Sequence, residues 1–153
     1  MSTTRQPDGS LTHRFVEVDG LRIHSVEAGV SRGTDVLLVH GWPQDWSAFE
    51  PVLRQLGREV RVAAIDLPGV GASDMLPPSF AKRVLARYVR GVVRALGLQR
   101  VMIAGHDVGG QIAYAYVRAF PDESANGVAR GIRMVPRLRS GRERQPRSGQ
   151  PAR

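Results

Sequence analysis

The stretch "AGHDVGGQIAYAY" (104–116) decides the fold, because it joins an apolar strand pattern to a helical pattern through a single acidic residue. Gly105 and Gly109 stand two residues before and two residues after Asp107. At a sharp strand-to-helix turn, glycines there remove the Cβ atoms that would clash, and the central side chain projects outward. The alternative is an ordinary helix N-cap. A cap requires neither flanking glycine nor Gly110, which lowers helix propensity, so the pattern favours a reactive carboxylate.

Strand and helix patterns alternate outward from this turn. Apolar runs and helical spacing predict buried strands over 35–41, 60–69 and 100–105 and helices over 46–57, 79–97 and 109–120. Near the N-terminus, two alternating runs flank Asp19 and Gly20, a pair that favours a type I′ hairpin turn. Ser47 and Glu50 have the spacing of a capping box. The alternation predicts an α/β fold built on a parallel sheet with right-handed crossovers.

Composition divides the chain into a flexible N-terminus (1–12), a globular domain (13–123) and an Arg-, Gly- and Pro-rich tail (124–153). The tail has few large apolar residues, so we expect it to be disordered. Residues 127–153 hold eight arginines and one acidic residue, Glu143, and therefore carry most of the formal net charge of +8. Since the domain itself is nearly neutral and the tail lacks interleaved aromatics, no specific nucleic-acid partner is predicted.

Several classes of protein are disfavoured by what the sequence lacks. It has no cysteine, which excludes disulfides, thiolate metal sites and a cysteine nucleophile. No apolar run is long enough to span a bilayer, and residues 1–10 lack the apolar region of a secretory signal. We therefore expect a cytoplasmic protein without a membrane partner, and we predict no metal or cofactor. The sequence indicates no oligomeric state.

Three loops follow the three predicted buried strands, and all should open at the carboxyl edge of the sheet, where α/β folds bind ligands. They are "HGWPQDW" (40–46), "DLPGVGASD" (66–74) and "GHDVGG" (105–110). The second loop does not have the spacing of a dinucleotide-binding motif. We expect it to form a tight turn in which Asp66 and Ser73 bond the local backbone.

The first loop has its own alternatives. His40 and Gly41 are interpreted as a structural turn in which His40 is hydrogen-bonded and uncharged. Trp42 and Trp46 either line an apolar pocket or pack in the core, and the sequence does not distinguish the two roles.

The segments "VLLVHGWPQDW", "AAIDLPGVGASD" and "VMIAGHDVGGQIAYAY", in this order, resemble the N-terminal half of the α/β-hydrolase fold over about residues 13–122. An Asp at the central position resembles the epoxide hydrolase and haloalkane dehalogenase branch. The resemblance implies that residues 13–123 form a partial α/β-hydrolase domain. It also implies that Asp107 is the nucleophile and that the backbone amides of Trp42 and Val108 form the oxyanion hole. The remaining positions of these motifs would shape the turns: His40, Gly41, Gly105, His106, Gly109 and Gly110.

The resemblance further implies a small-molecule substrate, an epoxide or an alkyl halide. A carboxylate attacks an sp³ carbon and forms an alkyl–enzyme ester, which water activated by a histidine then hydrolyses. Dehalogenases of this branch commonly carry a halide-binding Trp directly after the nucleophile, where this chain has Val108. The "HGWP" form also favours an epoxide hydrolase, with a haloalkane or haloacid dehalogenase-like enzyme as the alternative.

The chain departs from the family after Glu123. The family places its catalytic histidine and second acid far downstream of the nucleophile, and a cap domain supplies tyrosines. Here the histidines are at positions 13, 24, 40 and 106, all before Asp107. We hypothesise a truncated or frameshifted hydrolase that is inactive or impaired. The remaining alternative is a non-catalytic fragment or a binding module.

Overall fold

The computed structural model describes residues 8–75 and 78–130. Within them, six strands form one sheet: β1 Thr12–Val18, β2 Leu21–Ala28, β3 Val36–Val39, β4 Val62–Ile65, β5 Val101–His106 and β6 Ser124–Arg130. Their spatial order is β1-β2-β4-β3-β5-β6. The helices are α1 Glu50–Leu56, α2 Lys82–Ala95 and α3 Val108–Ala119, and a 3-10 turn over Trp46–Phe49 leads into α1. The predicted α/β architecture is confirmed.

The sheet is mixed. Strands β3, β4, β5 and β6 run parallel, as the strand–helix alternation predicts. The hairpin of β1 and β2 joins them because β2 pairs with β4 in the antiparallel sense. At the tip of this hairpin Asp19 has φ 48° and Gly20 has φ 79°. Positive φ at both central residues is what a type I′ turn requires, so the predicted hairpin turn is confirmed.

The core has two layers of side chains, one on each face of the sheet. Leu37 and Val39 of β3 pack on the face covered by α2 and α3. Leu38, between them, packs on the opposite face with Leu53 of α1. Because both faces are covered, β3 and β4 are apolar at every position, which explains why their sequences are continuous apolar runs.

The cap of the first helical segment differs from the prediction. The side chain of Asp45, not that of Ser47, is the N-cap. Its Oδ1 accepts hydrogen bonds from the Ser47 amide at 2.8 Å and from the Ser47 hydroxyl at 2.6 Å. The physical reason is that the helical segment begins as a 3-10 turn at Trp46, so the residue in position to accept these bonds is Asp45.

Residues 124–130, at the start of the predicted tail, form β6. This strand pairs in parallel with β5, from Val101 opposite Ser124 to His106 opposite Arg130. Pairing with a buried strand satisfies the backbone N–H and C=O groups, and this gain does not depend on a hydrophobic side-chain pattern. The rest of the predicted tail (131–153) and most of the predicted flexible N-terminus (1–7) lie outside the described residues. No helix in the described part of the chain is long and apolar enough to cross a membrane.

Candidate active site

Asp107 forms the turn between β5 and α3 in a conformation rare for any residue with a side chain. Its φ is 52° and its ψ is −120°, a region that favours glycine. The flanking positions must be glycine because the neighbouring backbone leaves no room for a Cβ atom. A Cβ on Gly105 would collide with the backbone of Gly109, and a Cβ on Gly109 would collide with the backbone of Val39. Asp107 occupies the N-cap position of α3, but its side chain is not found in a capping hydrogen bond of the usual kind.

The loop after β3 lies directly against this turn. The backbone amide of Trp42 donates a hydrogen bond to Asp107 Oδ2 at 3.2 Å. Gly41 makes the approach possible, because a Cβ there would lie 2.7 Å from the Asp107 Cβ and 2.9 Å from the backbone oxygen of His106. The structure thus brings together two of the loops that the sequence places at the carboxyl edge of the sheet.

The electrostatic surroundings favour the ionised form of Asp107. Hydrogen bonds from the backbone amides of Val108 and then Trp42 lower the pKa of this carboxyl below its ordinary value of 3.8. The positive charge of Lys82 also lowers this pKa, to a smaller extent. At neutral pH the group is therefore a carboxylate with two backbone N–H groups directed at it.

A cavity of about 340 Å³ is lined by Gly41, Trp42 and Val108, three residues that adjoin Asp107, although Asp107 itself is not a lining residue. Its walls come from the loops after β3 and β4, the segment that leads into α2, and the first residue of α3. The described lining residues are His40, Gly41, Trp42, Leu67, Pro68, Gly69, Val70, Phe80, Lys82, Leu85 and Val108. Most of them are apolar, a composition typical of a site for a small organic molecule.

The two tryptophans of the first loop have different positions, which resolves the alternative left open by the sequence. Trp42 is largely exposed and lines the cavity. Trp46 instead packs edge-on against the imidazole rings of His13 and His24. Trp46 is therefore a packing residue and Trp42 is the pocket residue.

His40 is buried, and both of its ring nitrogens are hydrogen-bonded. Its Nδ1 lies 2.9 Å from the Gly41 backbone oxygen, and its Nε2 accepts a hydrogen bond from the Leu67 amide at 3.0 Å. One ring nitrogen donates and the other accepts, so the ring is neutral and connects the loops after β3 and β4.

The loop after β4 is a tight, hydrogen-bonded turn, as predicted. Asp66 Oδ2 accepts from the Ala72 amide at 3.0 Å, and the Ser73 hydroxyl donates to the Asp66 backbone oxygen at 2.7 Å. Sequence reasoning missed the ring partner of Asp66, because His24 lies on a different strand. His24 Nδ1 is 2.8 Å from Asp66 Oδ2, and its Nε2 is 3.0 Å from His13 Nδ1.

Sequence reasoning also missed part of the pocket wall. Lys82 and Leu85 lie in the first turn of α2 and Phe80 lies just before it, in a segment that the periodicity predicts as an ordinary amphipathic helix. The sequence offered only their position in the segment that follows the "DLPGVGASD" loop, beginning six residues after Asp74. Among the residues that the structure describes, no group of three or more His, Asp or Glu side chains is arranged to hold a metal ion.

Comparison with known proteins gives the class that this fold and site define. The family model for the alpha/beta hydrolase fold matches residues 35–143, which is most of the chain. The chain belongs to the alpha/beta hydrolase fold family.

Several of its relatives within that family are epoxide hydrolases. The chain is 39% identical over 106 residues to a soluble epoxide hydrolase of Corynebacterium sp. (strain C12), a match covering 69% of this chain and 36% of the relative. It is 35% identical over 115 residues to epoxide hydrolase 4 of Mus musculus, covering 72% of this chain and 32% of the relative. The solved structure of the ligand-free epoxide hydrolase CorEH superposes with a TM-score of 0.73 at 36% identity, covering 78% of this chain and 42% of that one.

The predicted resemblance to the epoxide hydrolase branch is thereby confirmed over the N-terminal part of the chain. The chain spans about a third of the length of the curated relatives that it matches.

Proposed function

We propose that this chain is an epoxide-hydrolase-like enzyme in which Asp107 attacks a ring carbon of an epoxide. One observation carries the proposal: an exposed carboxylate occupies a strained turn and accepts a hydrogen bond from the amide of Trp42, a residue that lines an apolar cavity together with Val108. Strain of this kind persists where the surrounding structure enforces it, and it is concentrated at functional sites.

The first chemical step needs only an ionised carboxylate and a bound epoxide. An oxygen of Asp107 forms a bond to a ring carbon, the ring C–O bond breaks, and the ring oxygen keeps the electron pair and takes a proton from water. The product is a hydroxyalkyl ester of Asp107. Since the Trp42 amide bonds Oδ2, we assign the attack to Oδ1.

The second step is hydrolysis of that ester through a tetrahedral intermediate, which carries negative charge on the former carbonyl oxygen. The amides of Trp42 and Val108 already favour charge on the Asp107 carboxylate. We infer that the same two amides form the oxyanion hole, with Oδ2 as the oxygen that they stabilise.

Hydrolysis also needs a base, usually an imidazole held by a second acid. His24 is buried against Asp66, and both ring nitrogens of His40 are engaged. His106 is next to Asp107, but none of the ion pairs among the described side chains joins His106 to a carboxylate. We therefore expect that this chain forms the ester readily and hydrolyses it slowly.

The test is to incubate the purified chain with styrene oxide and measure its intact mass. We expect an increase equal to one styrene oxide, located on Asp107 by peptide mapping. Asp107→Ala should abolish the adduct, whereas Asp122→Asn, at an exposed acid just beyond α3, should retain it. An adduct that persists in Asp107→Ala would contradict the nucleophile assignment. Fast diol release without an adduct would contradict the expected slow hydrolysis.

A further inference from the structure

Lys82 is a charged side chain in an otherwise mostly apolar cavity. It is the first residue of α2, is half-buried, and lines the cavity together with Phe80 and Leu85. His40 also lines the cavity, but both of its ring nitrogens are already in hydrogen bonds. Within the described part of the chain, no carboxylate forms an ion pair with Lys82.

Helix stability does not explain this position. A cation in the first turn of a helix is opposed by the helix dipole, which favours acidic residues there. The first turn of α2 contains no acidic residue that would offset the charge of Lys82. An ammonium group that neither stabilises its helix nor pairs with a neighbouring acid is available to a ligand.

Asp107, the carboxylate on which Lys82 acts electrostatically, does not balance the Lys82 charge throughout the reaction. Its carboxylate is held by the amides of Trp42 and Val108, while Lys82 acts on it only through charge. When Asp107 forms a neutral ester under the proposed function, this negative charge disappears. An anion on the substrate would then be the counter-charge for Lys82, and apolar walls strengthen such an attraction.

We propose that Lys82 makes the site selective for epoxides that carry an anionic substituent, such as a carboxylate or a phosphate. This inference rests on the proposed function and specifies its substrate class. The substrate places its epoxide ring at Asp107, its apolar body against Phe80 and Leu85, and its anionic group at the Lys82 ammonium.

The test compares phenyl glycidyl ether with its para-carboxylate and para-trimethylammonium derivatives, in which the ether oxygen insulates the ring from the substituent. The rate of Asp107 alkylation is measured by intact mass. For each epoxide, this rate is divided by the rate at which the same epoxide reacts with acetate in solution. We expect the carboxylate to react about fivefold faster than the neutral ether, the upper range for a partly exposed ion pair. The cationic derivative should react more slowly, and added salt should reduce both differences.

Variants at two adjacent cations separate Lys82 from general positive charge. Lys82→Met should remove the preference for the carboxylate, and Lys82→Arg should retain it. Arg83→Met removes one charge from the exposed neighbour, which is outside the cavity lining, and should leave the preference unchanged. Equal rates for the neutral and anionic ethers, or an unchanged preference in Lys82→Met, would overturn the inference while the adduct itself still supports the proposed function.

A binding measurement tests Lys82 independently of any reaction. The diols that correspond to the neutral and para-carboxylate ethers are titrated into the chain and followed by NMR. Tighter binding of the carboxylate diol, lost in Lys82→Met and kept in Lys82→Arg, supports the inference even if no epoxide alkylates Asp107. Equal binding of the two diols contradicts the inference about Lys82. A correctly folded chain that forms no adduct with any epoxide contradicts the proposed function alone.

Discussion

The backbone amide of Trp42 donates a hydrogen bond to Oδ2 of Asp107 at 3.2 Å, although the two residues are 65 positions apart in the chain. The contact exists because β3 and β5 are parallel neighbours, so the loops that follow them open at the same edge of the sheet. Two consequences follow for the candidate site. The contact orients the carboxylate, and it requires that the first loop lie close to the β5–α3 turn.

Gly41→Ala should disrupt this contact. The new Cβ would lie 2.7 Å from the Asp107 Cβ and 2.9 Å from the His106 backbone oxygen, and neither neighbour is a flexible side-chain end. We expect alkylation of Asp107 by styrene oxide to fall by an order of magnitude or more, and a loss of about 1–3 kcal/mol in the free energy of unfolding. Both are measured on the same sample, by intact mass and by urea denaturation.

Gly97→Ala is the matched control for this prediction. Gly97 has φ 63°, so alanine there is strained, but a Cβ would meet no atom within 4 Å. We expect a cost of about 1 kcal/mol in the free energy of unfolding and unchanged alkylation. If Gly97→Ala reduces alkylation as strongly as Gly41→Ala, the effect at Gly41 reflects lower stability and not the geometry of the site.

Asp107→Gly should be more stable than Asp107→Ala by about 1 kcal/mol. Both variants remove the carboxylate, but only glycine adopts φ 52° and ψ −120° without strain. Urea denaturation of the two variants measures the difference directly. The reference position is Gln111, an exposed residue within α3. There the Gln111→Gly variant should be less stable than Gln111→Ala by about 1 kcal/mol. The same order of stability at both positions would contradict strain at Asp107.

The stability of the chain should depend on Glu123 in acid. Hydrogen bonds from Arg90 and, to a smaller extent, Arg94 lower the pKa of Glu123 to about 2 from its ordinary value of 4.5. Because the pKa is lower in the folded state, the stabilisation is complete above pH 4.5 and is lost as the pH falls towards about 2. Glu123→Gln should therefore be less stable than the parent at neutral pH, and its stability should change less across this window.

Urea denaturation at a series of pH values checks this dependence. Asp122→Asn serves as the control, since its exposed carboxylate is adjacent in sequence but forms no ion pair among the described side chains. The assignment to Glu123 fails if Asp122→Asn flattens the pH profile as much as Glu123→Gln does.

Much of the fold was predictable from local sequence for identifiable reasons. Continuous apolar runs predict β3, β4 and β5 because these strands are covered on both faces. The glycine spacing around Asp107 predicts the sharp turn because the neighbouring backbone leaves no space for a Cβ at Gly105 or Gly109. Both signals arise from residues that are close together in the chain, so the amino-acid sequence is sufficient to detect them.

The sequence by itself therefore determined the class of fold, the strained position of Asp107 and the loops that surround it. Only the tertiary structure decided that Lys82 lines the same cavity as Trp42, that His24 pairs with Asp66, and that residues 124–130 form a strand beside β5. The physical reason is that these contacts depend on the spatial order of the strands and on backbone pairing between distant segments. Neither leaves a periodic pattern in the residues concerned.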